Sequence, residues 1–205
     1  MESEKILRIE NPQYFYDLYE AFKKAKDRIE CVNKICKSDG VLETPSLNEL
    51  RYVGFHLIKA FSDINSENGQ EEILRAKRHC ERASYDILEI GVIYQLALFK
   101  KFKDEFKKTR ISSVVKDWLD ICEKIEKINA ELVEHNRYDE GGEEYHKLAE
   151  RKLLELNGII KKFPYYRAEL RKVRKRELIN NVVIYSGWII AALTVIVMII
   201  EYFLS

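Results

Sequence analysis

Apolar residues recur through most of this chain at alternating intervals of three and four, the spacing that keeps one face of an α-helix dry. The first stripe is Phe15, Leu18, Phe22, Ala25, Ile29, Val32 and Cys36. Asn11-Pro12 opens it as a cap followed by proline at the first helical position, and Ser38-Asp39-Gly40 closes it. Thr44-Pro45-Ser46 opens a second helix, with Ser46 and Glu49 spaced as a capping box and Leu47, Leu50, Gly54, Leu57 and Phe61 on the expected inner face. After a turn at residues 65–69, a third helix runs from about residue 70 to about residue 108, about 55 Å if unbroken. It carries Ile73, Ala76, Cys80, Ala83, Ile87 and Ile90, then Leu96, Phe99, Phe102 and Phe106, and Gly91 is expected to mark a kink or a change of face. Ser112 or Ser113 is placed to cap a fourth helix with Val114, Trp118, Ile121, Ile125, Ile128 and Leu132 inside, ended by residues 138–142. A fifth carries Tyr145, Ala149, Leu153, Leu156, Ile160 and Phe163 up to Pro164, and Leu170, Val173 and Leu178 continue the pattern beyond it. Nothing alternates with period two for long enough to form a sheet.

The pattern changes once. From Val182 to Ile200, nineteen consecutive residues carry no charge, about 28 Å of helix and close to the thickness of a bilayer's hydrocarbon core. The expected fold is therefore all-α, an antiparallel bundle of four to five helices followed by one C-terminal transmembrane helix. The expected divisions are a helical body over 1–164, a basic juxtamembrane helix over 165–181 and a membrane span over 182–204.

Charge orients the span. Before it stand Lys161, Lys162, Arg167, Arg171, Lys172, Arg174, Lys175 and Arg176 with only Glu169 and Glu177 among them; after it comes only Glu201-Tyr-Phe-Leu-Ser205. By the positive-inside bias the body faces the cytoplasm, as a tail anchor at the inner (plasma) membrane, with no N-terminal signal expected in Met1-Glu-Ser-Glu-Lys. The membrane-proximal basic residues Arg171, Lys172, Arg174, Lys175 and Arg176 also suit contact with anionic lipid. Gly187 and Ala191, four apart in the span, form a small-x3-small pair that lets helices approach closely, so a homo-oligomer is expected. Over the whole chain 35 basic residues meet 34 acidic ones, which excludes a general polycation.

Candidate chemistry is sparse. There is no glycine-rich phosphate loop, no H-E-x-x-H and no nucleophile elbow. Cys31, Cys36, Cys80 and Cys122 are expected to be reduced, buried and structural; they complete no zinc set, and His135 and His146 have no metal-ligand spacing, so neither a metal nor a cofactor is expected. On the third helix Arg75, Arg78, His79 and Arg82 cluster as a place for a phosphate or nucleotide, although such a run is more often a solvated face, here balanced by Glu81.

Arg51 and His56 are separated by four residues inside a predicted helix. This resembles the R-x4-H signature of HEPN-like domains, all-helical modules common in prokaryotic defence and toxin systems. The resemblance covers the helices from about residue 46 to about residue 108. It implies a metal-independent ribonuclease, with Arg51 on the phosphate and His56 as acid or base. An inactive HEPN-like fold and an unrelated bundle are the alternatives. The function expected is interaction and oligomerisation at the membrane, as an antiviral-defence effector, with a membrane-tethered ribonuclease as the alternative. The expected partners are the bilayer, further copies of the chain, an RNA or nucleotide at the basic cluster, and a protein partner that the sequence does not name.

Overall fold

A computed structural model of the chain describes residues 11–37, 41–134 and 142–204. They form six α-helices: α1 Gln13–Cys36, α2 Thr44–Ser62, α3 Glu67–Glu105, α4 Trp118–Glu134, α5 Gly142–Ile160 and α6 Phe163–Leu204, with short 3-10 turns at Val41–Glu43 and Ile111–Ser113. No strand occurs among the described residues. The all-α expectation holds, with five helices ahead of the long C-terminal one.

The packing divides into two units, Met1–Phe99 with Lys124–Ile160, and Lys100–Glu123 with Lys161–Ser205. In the first unit successive helices run up and down. Phe15 near the start of α1 stacks on Phe61 near the end of α2, and His56 on α2 meets Glu72 on α3. Lys152 of α5 reaches Glu131 of α4. Its core holds Leu18, Val53, Ala60, Ile73, Ala76 and Cys80, and continues through fully buried Val32, Ile87, Ile128, Leu153 and Leu156.

Several local expectations are corrected by that packing. The buried face of α2 is Ser46, Val53 and Ala60, with Leu50 and Leu57 half-buried, while Leu47 and Phe61 are exposed. The inner face is thus rotated from the one that the larger apolar residues suggest. Ser46 caps nothing: α2 begins at Thr44, no side chain caps it, and the buried Ser46 hydroxyl has no hydrogen-bond partner. Asn11 Oδ1 accepts the Gln13 N–H at 3.3 Å, but α1 begins at Gln13, so Pro12 takes the N-cap position in place of Asn11 and not the first helical position. The C-terminus of α1 is closed by Lys37 in the left-handed conformation (φ 49°), its N–H donated to the Asn33 carbonyl. The turn expected at 38–40 and the residues 135–141, including His135, lie outside the described residues.

Gly91 is not a break, since α3 continues through it for 39 residues. A Cβ there would lie 2.8 Å from Val32 Cγ1 and 3.3 Å from Leu153 Cδ2, so the missing side chain lets α1 and α5 close on α3. Ser112 and Ser113 belong to a 3-10 turn, with Ser113 Oγ donating to the Arg110 carbonyl, and α4 starts only at Trp118. Cys36 and Cys80 are buried as expected, but Cys31 is exposed and Cys122 only partly covered. Burial, with Glu81 adding to it, pushes the Cys80 thiol up to about 12.

The second unit is built on aromatic rings. Phe102 stacks on Phe163 at 4.2 Å between centroids and also meets Phe106 and Trp118, beside buried Ile111, Val115, Ile121 and Leu170. Arg167 lies over the Phe102 ring and donates to Glu105 at 2.9 Å, and Arg171 reaches the other Glu105 oxygen at 2.7 Å. Pro164 sits in the first turn of α6, where its missing N–H is no loss. From Phe163 the helix runs unbroken for 42 residues. Leu170 is its last buried side chain, and every described side chain from Arg174 onward is exposed. Within it lies a window of 18 residues with a mean hydropathy of 2.5, none of it buried, so α6 is long and apolar enough to cross a membrane. The two aliphatic hydroxyls inside that stretch are satisfied by the helix itself, Ser186 Oγ donating to the Val183 carbonyl and Thr194 Oγ1 to that of Ile190, both at 2.9 Å.

Candidate functional site: a histidine pair between two antiparallel helices

On α2, Glu49 and His56 are seven residues apart and so share a face; on α3, Glu72 and His79 have the same spacing. Because α2 and α3 run antiparallel, each helix's histidine meets the other's glutamate. His56 Nδ1 lies 2.6 Å from Glu72 Oε2, and His79 Nδ1 lies 2.7 Å from Glu49 Oε2. The two Nε2 atoms then face each other at 3.2 Å. The result is a continuous chain, carboxylate, imidazole, imidazole, carboxylate, with a local two-fold arrangement.

The surroundings hold both rings in place. Tyr52 stacks on His79 at 5.3 Å, and Phe55 lies edge-on to His56 at 5.5 Å. The Glu72 side chain is only 5 % exposed and receives Arg75 at 3.1 Å and Lys59 at 3.8 Å as well. The hydrogen bond to His56, opposed by desolvation and aided by Lys59 and Arg75, keeps its carboxyl below the usual range. A carboxylate accepts, so each Nδ1 donates to the glutamate it faces.

A cleft of about 330 Å³ opens on the pair, lined by His56, Arg75, Arg78, His79 and Arg82. In the sequence His56 and the α3 basic cluster stand as two separate candidates; the fold brings them into one wall. Arg75 and Arg78 share Glu71, at 3.4 and 2.7 Å, whereas Arg82 makes no hydrogen bond or ion pair with a described residue. Arg51 does not join them. It is exposed, is absent from the cleft lining and pairs with no described residue, because five residues of helix turn it about 140° from His56. It lies instead on the outer stripe of α2 with Leu47, Gly54 and Ile58. The legible signal for the histidine pair is the E-x6-H spacing occurring twice, on neighbouring helices.

A second polar centre carries no signal in the sequence pattern. Arg28 on α1 is buried, and its guanidinium donates to Ser84 Oγ at 2.8 Å, approaches Glu150 at 3.4 Å and lies 3.4 Å from His146 Nδ1. It lines a broad groove of about 900 Å³ rimmed by charges of both signs. On α6, Arg171 and Lys172 are paired to Glu105 and Glu169, while exposed Arg174, Lys175 and Arg176 pair with no described residue. Gly187 is open, since a Cβ added there would meet nothing within 4 Å, and Ala191 is exposed. No protein family matches the chain, and no curated protein or solved structure is significantly similar to it.

Proposed function

We propose that this chain is a single-pass protein of the inner (plasma) membrane, its helical body on the cytoplasmic side, acting by self-association and interaction at the bilayer. The observation that carries the reading is α6 beyond Leu170: a charged stretch followed by an apolar one, in which every described side chain from Arg174 onward is exposed. Such a face in water would leave eleven Val, Ile and Leu side chains solvated, and lipid removes that cost. Exposed Arg174, Lys175 and Arg176, which pair with no described residue, lie at the cytoplasmic end, where anionic headgroups attract them by about 1 kcal/mol each.

Self-association draws on two features. Leu47, Arg51, Gly54 and Ile58 on α2 recur at four, three and four, an outward stripe with a small residue at its centre; Leu47 and Ile58 are 48 % and 74 % exposed. Gly187 and Ala191 form a small-x3-small pair on α6. The test is alkaline carbonate extraction of membranes holding the full chain, with protease accessibility for orientation and the mass of the detergent-solubilised particle for assembly. Pelleting with the membrane, a body exposed on the cytoplasmic side and a particle of more than one chain are expected. Extraction into the supernatant sinks the reading.

The arginine-lined cleft favours a second reading, a membrane-tethered ribonuclease in which His56 faces the phosphate of a bound RNA with Arg78 and Arg82 beside it, in place of the Arg51 that the HEPN-like resemblance implied. It predicts RNA cleavage in excess chelator that His56→Ala removes; intact RNA under those conditions eliminates it.

A further inference from the structure

Charge sets what the cleft between α2 and α3 can hold. The described residues that line it, His56, Arg75, Arg78, His79 and Arg82, bring three guanidiniums and no carboxylate, so it repels cations. Arg75, Arg78 and Arg82 follow one another at three and four along α3 and share one of its faces, where like charges destabilise a helix unless something negative lies among them. Part of that need is met from within the chain. Glu71 Oε1 accepts from Arg78 Nη2 at 2.7 Å and from Arg75 Nε at 3.4 Å. The hydrogen bond from Arg78, opposed by desolvation and aided by Arg75, holds the Glu71 carboxyl below its usual range, so this wall already stabilises one oxyanion. Arg75 is tied to Glu72 as well, at 3.1 Å. Arg82, exposed and bonded to no described residue, is served by neither carboxylate, and Glu71 itself is not part of the lining.

We propose that this cleft binds the terminal phosphate of a small molecule, with Arg78 and Arg82 as its main partners and Glu71 as an internal competitor that the phosphate displaces from Arg78. A guanidinium presents a planar fork that matches two phosphate oxygens. A terminal phosphate offers three such oxygens and about two negative charges near pH 7, enough for more than one fork, whereas an internal phosphodiester offers fewer oxygens and less charge. The volume of about 330 Å³ lies at the lower end of the roughly 300–1,000 Å³ of small-molecule sites, so a ligand of mononucleotide size fits better than an extended chain. Displacing Glu71 costs little, because the side chains of Arg78 and Glu71 are 59 % and 43 % exposed and water takes up the freed carboxylate. His56 and His79 complete the lining in fixed positions, each tied through Nδ1 to a glutamate on the facing helix. The site shares its cleft with the ribonuclease reading but requires no cleavage, so RNA left intact by the chain leaves the phosphate site standing.

The test is equilibrium dialysis of the full chain in detergent against radiolabelled adenosine 5′-monophosphate at fixed ionic strength. Saturable binding of one nucleotide per chain is expected, with inorganic phosphate competing and adenosine, which lacks the phosphate, failing to compete. Arg82→Ala, at an exposed position, should weaken binding at least about tenfold with helicity unchanged, the loss expected for a charge-assisted hydrogen bond. Glu71→Gln should tighten binding about two- to fivefold, the size of an exposed ion pair. A native chain without saturable binding, adenosine that competes as well as unlabelled nucleotide, or an Arg82→Ala chain that binds as the native does overturns the site. Glu71→Gln binding that is unchanged or weaker overturns the competition. An RNA with hydroxyls at both ends that displaces the nucleotide as well as unlabelled nucleotide does overturns the preference for a terminal phosphate.

Discussion

Two arginines in the middle of α6 should detach the chain from the membrane while leaving its body folded. The span holds eleven Val, Ile and Leu residues between Val182 and Ile200, each favouring insertion by about 0.3–0.6 kcal/mol, or about 3–7 kcal/mol together. An arginine at the helix centre costs about 2.5–3.5 kcal/mol, and replacing an apolar residue forfeits its own contribution, so each substitution removes about 3–4 kcal/mol. Ile190→Arg alone therefore roughly cancels the drive, and Ile190→Arg with Leu193→Arg, at about 6–8 kcal/mol, exceeds it. Neither side chain packs on anything: they are 64 % and 56 % exposed. The body's melting transition should consequently stay where it is. Membrane flotation of the full chain measures the outcome, with the single variant split between fractions and the double variant at the bottom of the gradient. A double variant that floats like the native chain would refute the argument that this helix is the anchor.

Gly91→Val should destabilise the first unit by about 1–3 kcal/mol in denaturant unfolding, because the added carbons collide with Val32 and Leu153, both buried on other helices. Glu105 is partly buried, which raises its pKa, but hydrogen bonds from Arg171 and Arg167 hold it below its ordinary value of 4.5. Since the folded value is the lower one, the stabilisation is complete above about pH 4.5 and disappears as pH falls through the folded pKa. Glu105→Gln should lower the melting temperature at pH 7 and leave the acid end of the curve nearly unchanged. Lys152 is 9 % exposed and reaches Glu131 at 2.6 Å, so Glu131→Ala, which leaves the buried ammonium with Glu155 at 3.8 Å, should cost more in thermal melting than Lys152→Met, whose freed carboxylates can reach water.

Helix period, number and order could be read directly from the chain, because burial in a bundle is a matter of one-dimensional spacing. Ile121, Ile125 and Ile128 on α4, and Ala149, Leu153 and Leu156 on α5, are buried where the pattern puts them. The pattern failed where small residues outcompeted large ones. On α2 the tight approach is made by Ser46, Val53 and Ala60, so the bulkier Leu47 and Phe61 are turned outward. Gly91 misled for the same reason, since a glycine needed for close packing looks in sequence like one needed for a bend. The candidate site was half legible. His56 and the cluster at Arg75, Arg78, His79 and Arg82 each stand out in the chain, but their union depends on the relative register of α2 and α3, which no single helix encodes. Arg28 was invisible because a charged residue beside the stripe of α1 normally faces solvent, and only Ser84, His146 and Glu150 on other helices make its burial tolerable.

The second unit gives α6 a mechanical character that a simple anchor lacks. Its first two turns are held by Phe163 against Phe102, by buried Leu170 and by the Glu105 clasp on Arg167 and Arg171. Between Tyr165 and Ser186 there is neither glycine nor proline, so no residue in that stretch favours a hinge. A flexible tether would let the membrane segment turn independently of its base. If the apolar part of α6 lies in lipid as proposed, one helix carries rotation and tilt from it into the aromatic core around Phe102, and an association of spans through Gly187 and Ala191 would fix the orientation of that core at the bilayer.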